Sequence, residues 1–281
     1  MIGWGASWVT VKVLGRYINE YEMILFRFGF TAITMIPIII KMKHSFAIDM
    51  KNSVLVFVTS LVFIGYMKYF FLGTKLGTAS LGGAFVTTLI PIITFILLAL
   101  MGKRSITTKE IIALFIGGVG VMTILGVWNS SMQELLVRYN LYFIIAAFLW
   151  AVLTILSSKS TISMIVFTFY MYIATVVIDV LFFVDISSIH WGSFDWLFWL
   201  NIGIITLFST TFANTVYFWG IEKLGAGEVS SFVFLVPFSA IGLSVLFLGE
   251  KADIYMIIGT MMTIYAVKNL NNIKFWWQKS R

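Results

Sequence analysis

Long apolar runs broken by short polar connectors fill almost the whole chain. They fall at 2–14, 22–40, 54–74, 79–101, 110–128, 140–157, 163–184, 195–220, 228–248 and 253–269. A helix needs roughly 20 mostly apolar residues to cross a bilayer. The pattern therefore predicts membrane-spanning helices with short turns between them, and leaves no room for a separate soluble domain. The first run is shorter than a span and starts at Met1. That suggests a truncated start, or a helix that only just reaches the far side. It has neither a basic leader nor a small-residue cleavage site, so no cleavable signal peptide is expected.

The pattern also repeats. Lys75-Leu76-Gly77 is followed by an apolar run with Pro91 and then by Gly102-Lys103. Lys223-Leu224-Gly225 is followed by an apolar run with Pro237 and then by Gly249-Glu250. The offset is 148 from Gly77 to Gly225, 146 from Pro91 to Pro237 and 147 from Gly102 to Gly249. Trp4-Gly5-Ala6-Ser7 with Lys12 parallels Trp150-Ala151-Val152-Leu153 with Lys159, and Tyr69-Phe70-Phe71 parallels Tyr217-Phe218-Trp219. Internal repeats mark a duplicated structural unit. The unit is read as five helices used twice, at 1–128 and 140–270, followed by a basic and aromatic tail at 271–281. An odd number of spans turns the second copy over. The expected fold is all-α integral membrane, with ten transmembrane helices as two inverted five-helix repeats. Such an arrangement is most often a transporter with its site near the midplane.

Composition agrees with a bilayer solvent. The chain is 60% hydrophobic and 11% charged, with mean hydropathy +1.00. Soluble domains run to about 45–50% apolar and about 25% charged. Cysteine is absent, which removes disulfides and thiolate metal sites from consideration. His44 and His190 both fall in connectors, and no metal or cofactor site is expected. The net charge of +7 reads as basic cytoplasmic loops rather than a nucleic-acid surface. With a cytoplasmic N-terminus, 12 of the 19 Lys and Arg fall in inner loops and the tail. Only Arg16, Lys75, Arg138 and Lys251 fall outside, and Lys12, Arg27 and Lys68 lie within segments. Both termini are therefore expected in the cytoplasm. The tail's Lys274-Phe275-Trp276-Trp277 reads as an interfacial anchor.

Trp4-Gly5-Ala6-Ser7-Trp8-Val9, Phe26-Arg27-Phe28, the two Leu-Gly pairs, Pro91, Pro237 and Leu248-Gly249-Glu250 resemble the EamA family of the drug/metabolite transporter superfamily. The resemblance covers both halves. It implies a central cavity lined by the first four helices of each half, with the fifth and tenth outside. It also implies movement of small metabolites across a bacterial cytoplasmic membrane. The first half departs from the pattern by closing on Met101-Gly102-Lys103, without the Gly-Glu pair.

Charges inside spans are costly and are functional candidates by default. There are four: Lys12, Arg27, Lys68 and Asp179. All four are expected in the outer third of their helices, where they would form a basic vestibule for substrates carrying carboxylate or phosphate. The competing reading is that they snorkel to the interface or pair with nearby acids. Arg27 is the strongest of them, because the resemblance points to it as well, and Lys12 with Asp179 are candidates for a charge relay. Pro91 and Pro237 are expected to kink helices four and nine and to act as hinges. Trp4, Tyr69, Trp150, Tyr217 and Trp219 are raised as pathway residues by their repeat matching or polar tips. Asn214 and the Thr210-Thr211 pair are polar inside an apolar run, suited to interhelical bonds or to substrate.

The leading reading is a secondary transporter of amino acids, related organic solutes or drugs, in the exporter or exchanger style. A nutrient importer or permease stays open beside it. Its partners are a small-molecule substrate and the lipid bilayer, with no nucleic acid, and a homodimer stays open. An integral-membrane enzyme is the alternative of another class, yet no two acids lie together inside a segment. No filter-like loop argues for a channel. The Gly-x-x-x-x-Gly-Lys-Ser/Thr loop of a nucleotide-driven pump does not occur.

Overall fold

The computed structural model describes residues 1–102, 107–124, 126, 128 and 137–270. The tail at 271–281 and Lys103 lie outside the described residues. Within them the chain is helical, and no strand is present among the described residues. The helices are α1 (Ile2–Leu14), α2 (Glu20–Lys41), α3 (Met50–Leu76), α4 (Ala79–Leu100) and α5 (Thr108–Ile124). After the second connector come α6 (Arg138–Ser157), α7 (Met164–Phe182) and α8 (Trp196–Leu224). They are followed by α9 (Ala226–Phe232), α10 (Val236–Leu248) and α11 (Ile254–Leu270). Among the described residues six helices, α2, α3, α4, α6, α7 and α8, are long and apolar enough to cross a membrane. At about 1.5 Å per residue, the 13 residues of α1 reach about 20 Å, less than a hydrocarbon core of about 30 Å.

Side chains mark where the helices begin. Asn19 closes a capping box on α2: its Oδ1 accepts from the Glu22 amide at 3.0 Å, and Glu22 Oε2 accepts from the Asn19 amide at 2.8 Å. Asp49, Thr78 and Asp195 cap α3, α4 and α8 by accepting from the amides of Asn52, Leu81 and Phe198. Each satisfies an amide that has no partner within its helix. Gly249, at φ 67°, ends α10 in the left-handed conformation that glycine adopts without strain.

Two helices depart from regular geometry. The middle of α8, Ile205–Phe212, is a π-helix. A 3₁₀ turn at Val233–Leu235 separates α9 from α10, where the sequence predicts one run at 228–248. Pro237 therefore stands in the first turn of α10, a position that needs no amide donor, while Pro91 sits inside the continuous α4. Pro37, inside α2, is the second proline in a helix interior.

Packing follows an exchange pattern. α1 lies on α10 and α4 on α6; α2 faces α7, α4 faces α10, and α5 faces α11. Small residues permit the last contact: a methyl group added at Gly259 would lie 2.5 Å from the Gly120 carbonyl oxygen. Close backbone approach of this kind is how helices associate in lipid, where apolar burial between them drives little. Large apolar side chains such as Phe57, Phe115, Leu181 and Leu246 point outward, which suits a lipid surround.

Candidate functional site

Helices α1, α2, α3, α4, α6 and α8 line a small cavity of about 30 Å³. A water molecule needs about 10–15 Å³ of such volume. In this arrangement the cavity has room for about two to three waters and is too small for an organic solute. Wider hollows exist, including one of about 780 Å³ beside Ile2, Phe212 and Trp219. Its lining is mostly apolar; Trp4 and Tyr217 border it as well, while Arg27 and Asn214 do not.

The cavity's walls are aromatic. Trp4 and Trp150, partners in the repeat, meet edge to face with ring centroids 5.2 Å apart. Tyr217 packs on Trp4 at 4.8 Å and Tyr66 on Trp150 at 4.6 Å. Trp8, one turn beyond Trp4, meets Phe70 at 4.6 Å. Small residues let these rings in: a methyl group at Gly82 would lie 2.5 Å from the Trp8 ring.

A polar chain crosses this apolar surface. The Trp4 indole donates to Asn214 Oδ1 at 2.6 Å, and Asn214 Nδ2 donates to the Tyr172 hydroxyl at 2.9 Å. Tyr217 and Thr154 share a hydrogen bond of 2.9 Å. All five residues are buried, and each bond satisfies a group that would be costly to leave unpaired in the interior.

Arg27 is the charged member of the lining. Its side chain is 5% exposed. Nε donates to Thr210 Oγ1 at 2.7 Å, Nη1 lies 3.9 Å from Met67 Sδ, and the guanidinium carbon sits 5.2 Å from the Phe28 ring centroid. Among the described residues no carboxylate lies within 4 Å of it. The π-helical turn of α8 supplies the Thr210 hydroxyl. The same turn sends Ser209 to the Gly3 carbonyl and Thr211 to Thr34 at 2.7 Å. π turns occur often at functional sites.

Of the residues singled out in the sequence, Trp4, Arg27, Trp150 and Asn214 line one cavity, with Tyr217 packed behind them. Others lie elsewhere. Trp219 is 46% exposed on the outer surface, and Tyr69 packs on Tyr142 at 5.6 Å. Lys68 faces the Tyr21 ring at 5.9 Å. The Lys12 ammonium is bound to carbonyls at the end of α3: Thr74 and Lys75, each at 3.0 Å, and Gly77. Asp179 is fully buried on α7, and neither carboxylate oxygen has a hydrogen-bond partner among the described residues. Pro91 is buried in α4, one residue from the cavity-lining Ile90.

Sequence reasoning passed over Ser7, Trp8, Phe63, Tyr66, Phe70, Thr87 and Tyr172. For Trp8 a signal existed, since it stands four residues after Trp4 and so shares its helix face. The other aromatic residues sit among many similar ones, and only packing distinguishes them.

The EamA-like transporter family matches the chain twice, at residues 1–126 and at 137–268. An uncharacterized transporter of Bacillus subtilis (strain 168), YyaM, is 24% identical, over 96% of this chain and 90% of its own length. One solved crystal structure is similar with a TM-score of 0.68 at 15% identity, covering 95% of this chain and 94% of that one. At that identity the likeness concerns the fold.

Proposed function

The chain belongs to the EamA-like transporter family, and from that premise we propose that it moves small organic metabolites through the Arg27 cavity by alternating access. It is a multi-pass membrane transporter of the drug/metabolite type and not an enzyme. In the proposed architecture α9 and α10 count as one broken span. Ten spans then form two inverted five-helix halves, at 1–128 and 140–270, with both termini in the cytoplasm of a bacterial inner membrane. The proposed direction is export or exchange.

One observation carries the reading: side chains from both halves close around a single buried cation. Arg27 comes from the first half and its partner Thr210 from the second, while Trp4 and Trp150 meet between them. The exchange pattern of helix packing supports a two-fold relation between the halves. Two clasps, one at the start of α3 and one at the start of α8, support gating. Asn52, in the first turn of α3, bonds Thr161 Oγ1 at 2.7 Å and accepts from the Thr161 amide at 3.1 Å. Asp195, the cap of α8, accepts from the Tyr17 hydroxyl at 3.0 Å. Each clasp ties the start of a third helix to the loop between the first two helices of the other half. On the Tyr17 side, Glu250 also accepts from the Ala79 and Ser80 amides at 2.9 and 2.8 Å. With both clasps shut, the cavity is held at its present size.

Lys12, held by three carbonyls, serves in this proposal to fix α1 against the end of α3. Asp179 remains the proposed charge relay, supported by its burial and its unpartnered oxygens. Pro91 and the broken segment at Pro237 are the proposed flexing points.

Counterflow in proteoliposomes tests the reading. With a panel of labelled amino acids, organic acids and amines, at least one compound should exchange saturably. Flux that rises linearly without saturation, or no exchange by any compound, would contradict it.

A further inference from the structure

We infer that the cavity selects organic monoanions with a flat aromatic body and without an ammonium group. This inference rests on the transport reading and names the substrate class of the same site.

Three features carry it. The first is the uncompensated charge. A guanidinium stays protonated in proteins, and a buried charge without a counter-ion is costly. Arg27 is 5% exposed, and no described carboxylate lies within 4 Å. Its Nε is committed to Thr210, while Nη1 has only the weak thioether acceptor Met67 Sδ at 3.9 Å, which a carboxylate would displace to use the two terminal nitrogens as a fork. That fork fits both oxygens of a carboxylate.

The second feature is the wall. Trp4, Trp8, Phe63, Tyr66, Phe70 and Trp150 line the cavity. Such faces take a flat ring by offset or edge-to-face packing. When the clasps release and the cavity widens, the surface gained by a substrate is mostly aromatic.

The third feature is what the lining lacks. No acidic side chain lines the cavity among the described residues. The Asn214 amide oxygen is held by the Trp4 indole, while Ser7 and Thr87 donate to the carbonyls of Trp4 and Gly83. An ammonium bound beside Arg27 would meet a like charge and no counter-charge. An α-amino acid carries that ammonium next to the carboxylate, so this site discriminates against it.

Three compounds separate the terms. Indole-3-propionate, tryptophan and tryptamine share a ring and a side-chain length, and differ only in carboxylate and ammonium. In counterflow with the intact protein, indole-3-propionate should exchange saturably. Tryptophan should show at least about tenfold lower kcat/KM, and tryptamine no exchange. Hexanoate, with no ring, should fall at least about tenfold below indole-3-propionate. Arg27→Gln should lower indole-3-propionate exchange at least about tenfold, and thermal-shift binding in detergent should give the same order. Arg27→Lys, which keeps a charge but loses the fork, should lie between. Tryptophan or tryptamine exchanging as well as the acid would overturn the inference. So would exchange of other panel compounds with none of the acid; in both cases the transport reading survives. No exchange by any compound of either set would remove both.

Discussion

Helices α3 and α8 hold the same place in the two sequence repeats, yet one is a regular rod and the other is not. From its cap Asp49 to Tyr69, α3 spans 20 positions; from its cap Asp195 to Tyr217, α8 spans 22. A π turn, closed i→i+5, stores an extra residue, and the surplus of α8 sits in the π segment Ile205–Phe212. The next segment shows the reverse. Gly77 to Pro91 is 14 positions and Gly225 to Pro237 is 12. There the chain contains the 3₁₀ turn Val233–Leu235, which rises about 2.0 Å per residue against about 1.5 Å in an α-helix. The extra length per residue offsets part of the deficit. The difference teaches that two copies of one fold share a scaffold and divide the chemistry. The first half supplies the cation, and the irregular helix of the second turns Ser209, Thr210 and Thr211 toward α1 and α2 to hold it.

This comparison is broken most directly by making α8 regular. Deleting Leu207, which is exposed on the π turn, removes a stored residue. A regular helix in its place keeps the flanking residues in register and redirects the hydroxyls of Ser209, Thr210 and Thr211 away from Gly3, Arg27 and Thr34. Arg27 would lose its Thr210 partner and α1 and α2 their contacts to the turn, and exchange should fall at least about a hundredfold in protein that still reaches the membrane. Deleting exposed Phe57 from the regular α3 should instead reduce the amount of folded protein, seen by size-exclusion chromatography. Next in size is Thr210→Val, which leaves the Arg27 Nε–H unpaired. A buried donor without a partner costs about 1–3 kcal/mol, so substrate affinity should shift about tenfold where the Arg27 fork is displaced. Thr211→Val, on the same turn but away from Arg27, should shift it by less than about threefold.

Smaller effects sharpen the picture outside the cavity. Gly259→Val forces side-chain atoms against the Gly120 carbonyl, and overpacking of this kind costs about 1–3 kcal/mol. Detergent melting temperature should fall, while exchange by the surviving protein is retained. Smallest is Glu250→Gln. It replaces a charged acceptor at the start of α4 with a neutral one, and helix-terminus charges are worth about 0.3–1 kcal/mol. The melting temperature should drop by a few degrees at most.

Much of this was legible in the sequence. Long apolar runs predicted most helices, including α2, α4 and α6, to within a few residues. Repeat matching picked Trp4, Trp150 and Tyr217, whose rings the fold packs against one another. Arg27 and Asn214 stood out as polar groups in apolar runs. The π turn was also written there, as the drift of the repeat offset from 146 between Trp4 and Trp150 to 148 between Tyr69 and Tyr217. Tyr66 and Phe63 were not legible. A helix apolar on every face gives no periodic sign of which side meets protein and which meets lipid. Trp219 shows the same ambiguity from the other direction: its repeat partner and chemistry recommend it, yet its position on α8 faces outward. Charge did not by itself show what each cation meets: carbonyls at the end of α3 hold the Lys12 ammonium, and Lys68, about two turns before that end, faces the Tyr21 ring.

The chain has no cysteine, so paired spin labels report on chosen sites without background. Double electron–electron resonance between labels replacing the exposed neighbours Lys51 and Lys159, and in a second variant Arg16 and Trp196, measures the separation beside each clasp in proteoliposomes while leaving its hydrogen bonds in place. On addition of an exchanging substrate, the account predicts a short and a long distance for each pair, with long fractions that together do not exceed the whole population. Long fractions that together exceed the whole, or neither pair moving while exchange proceeds, would contradict it.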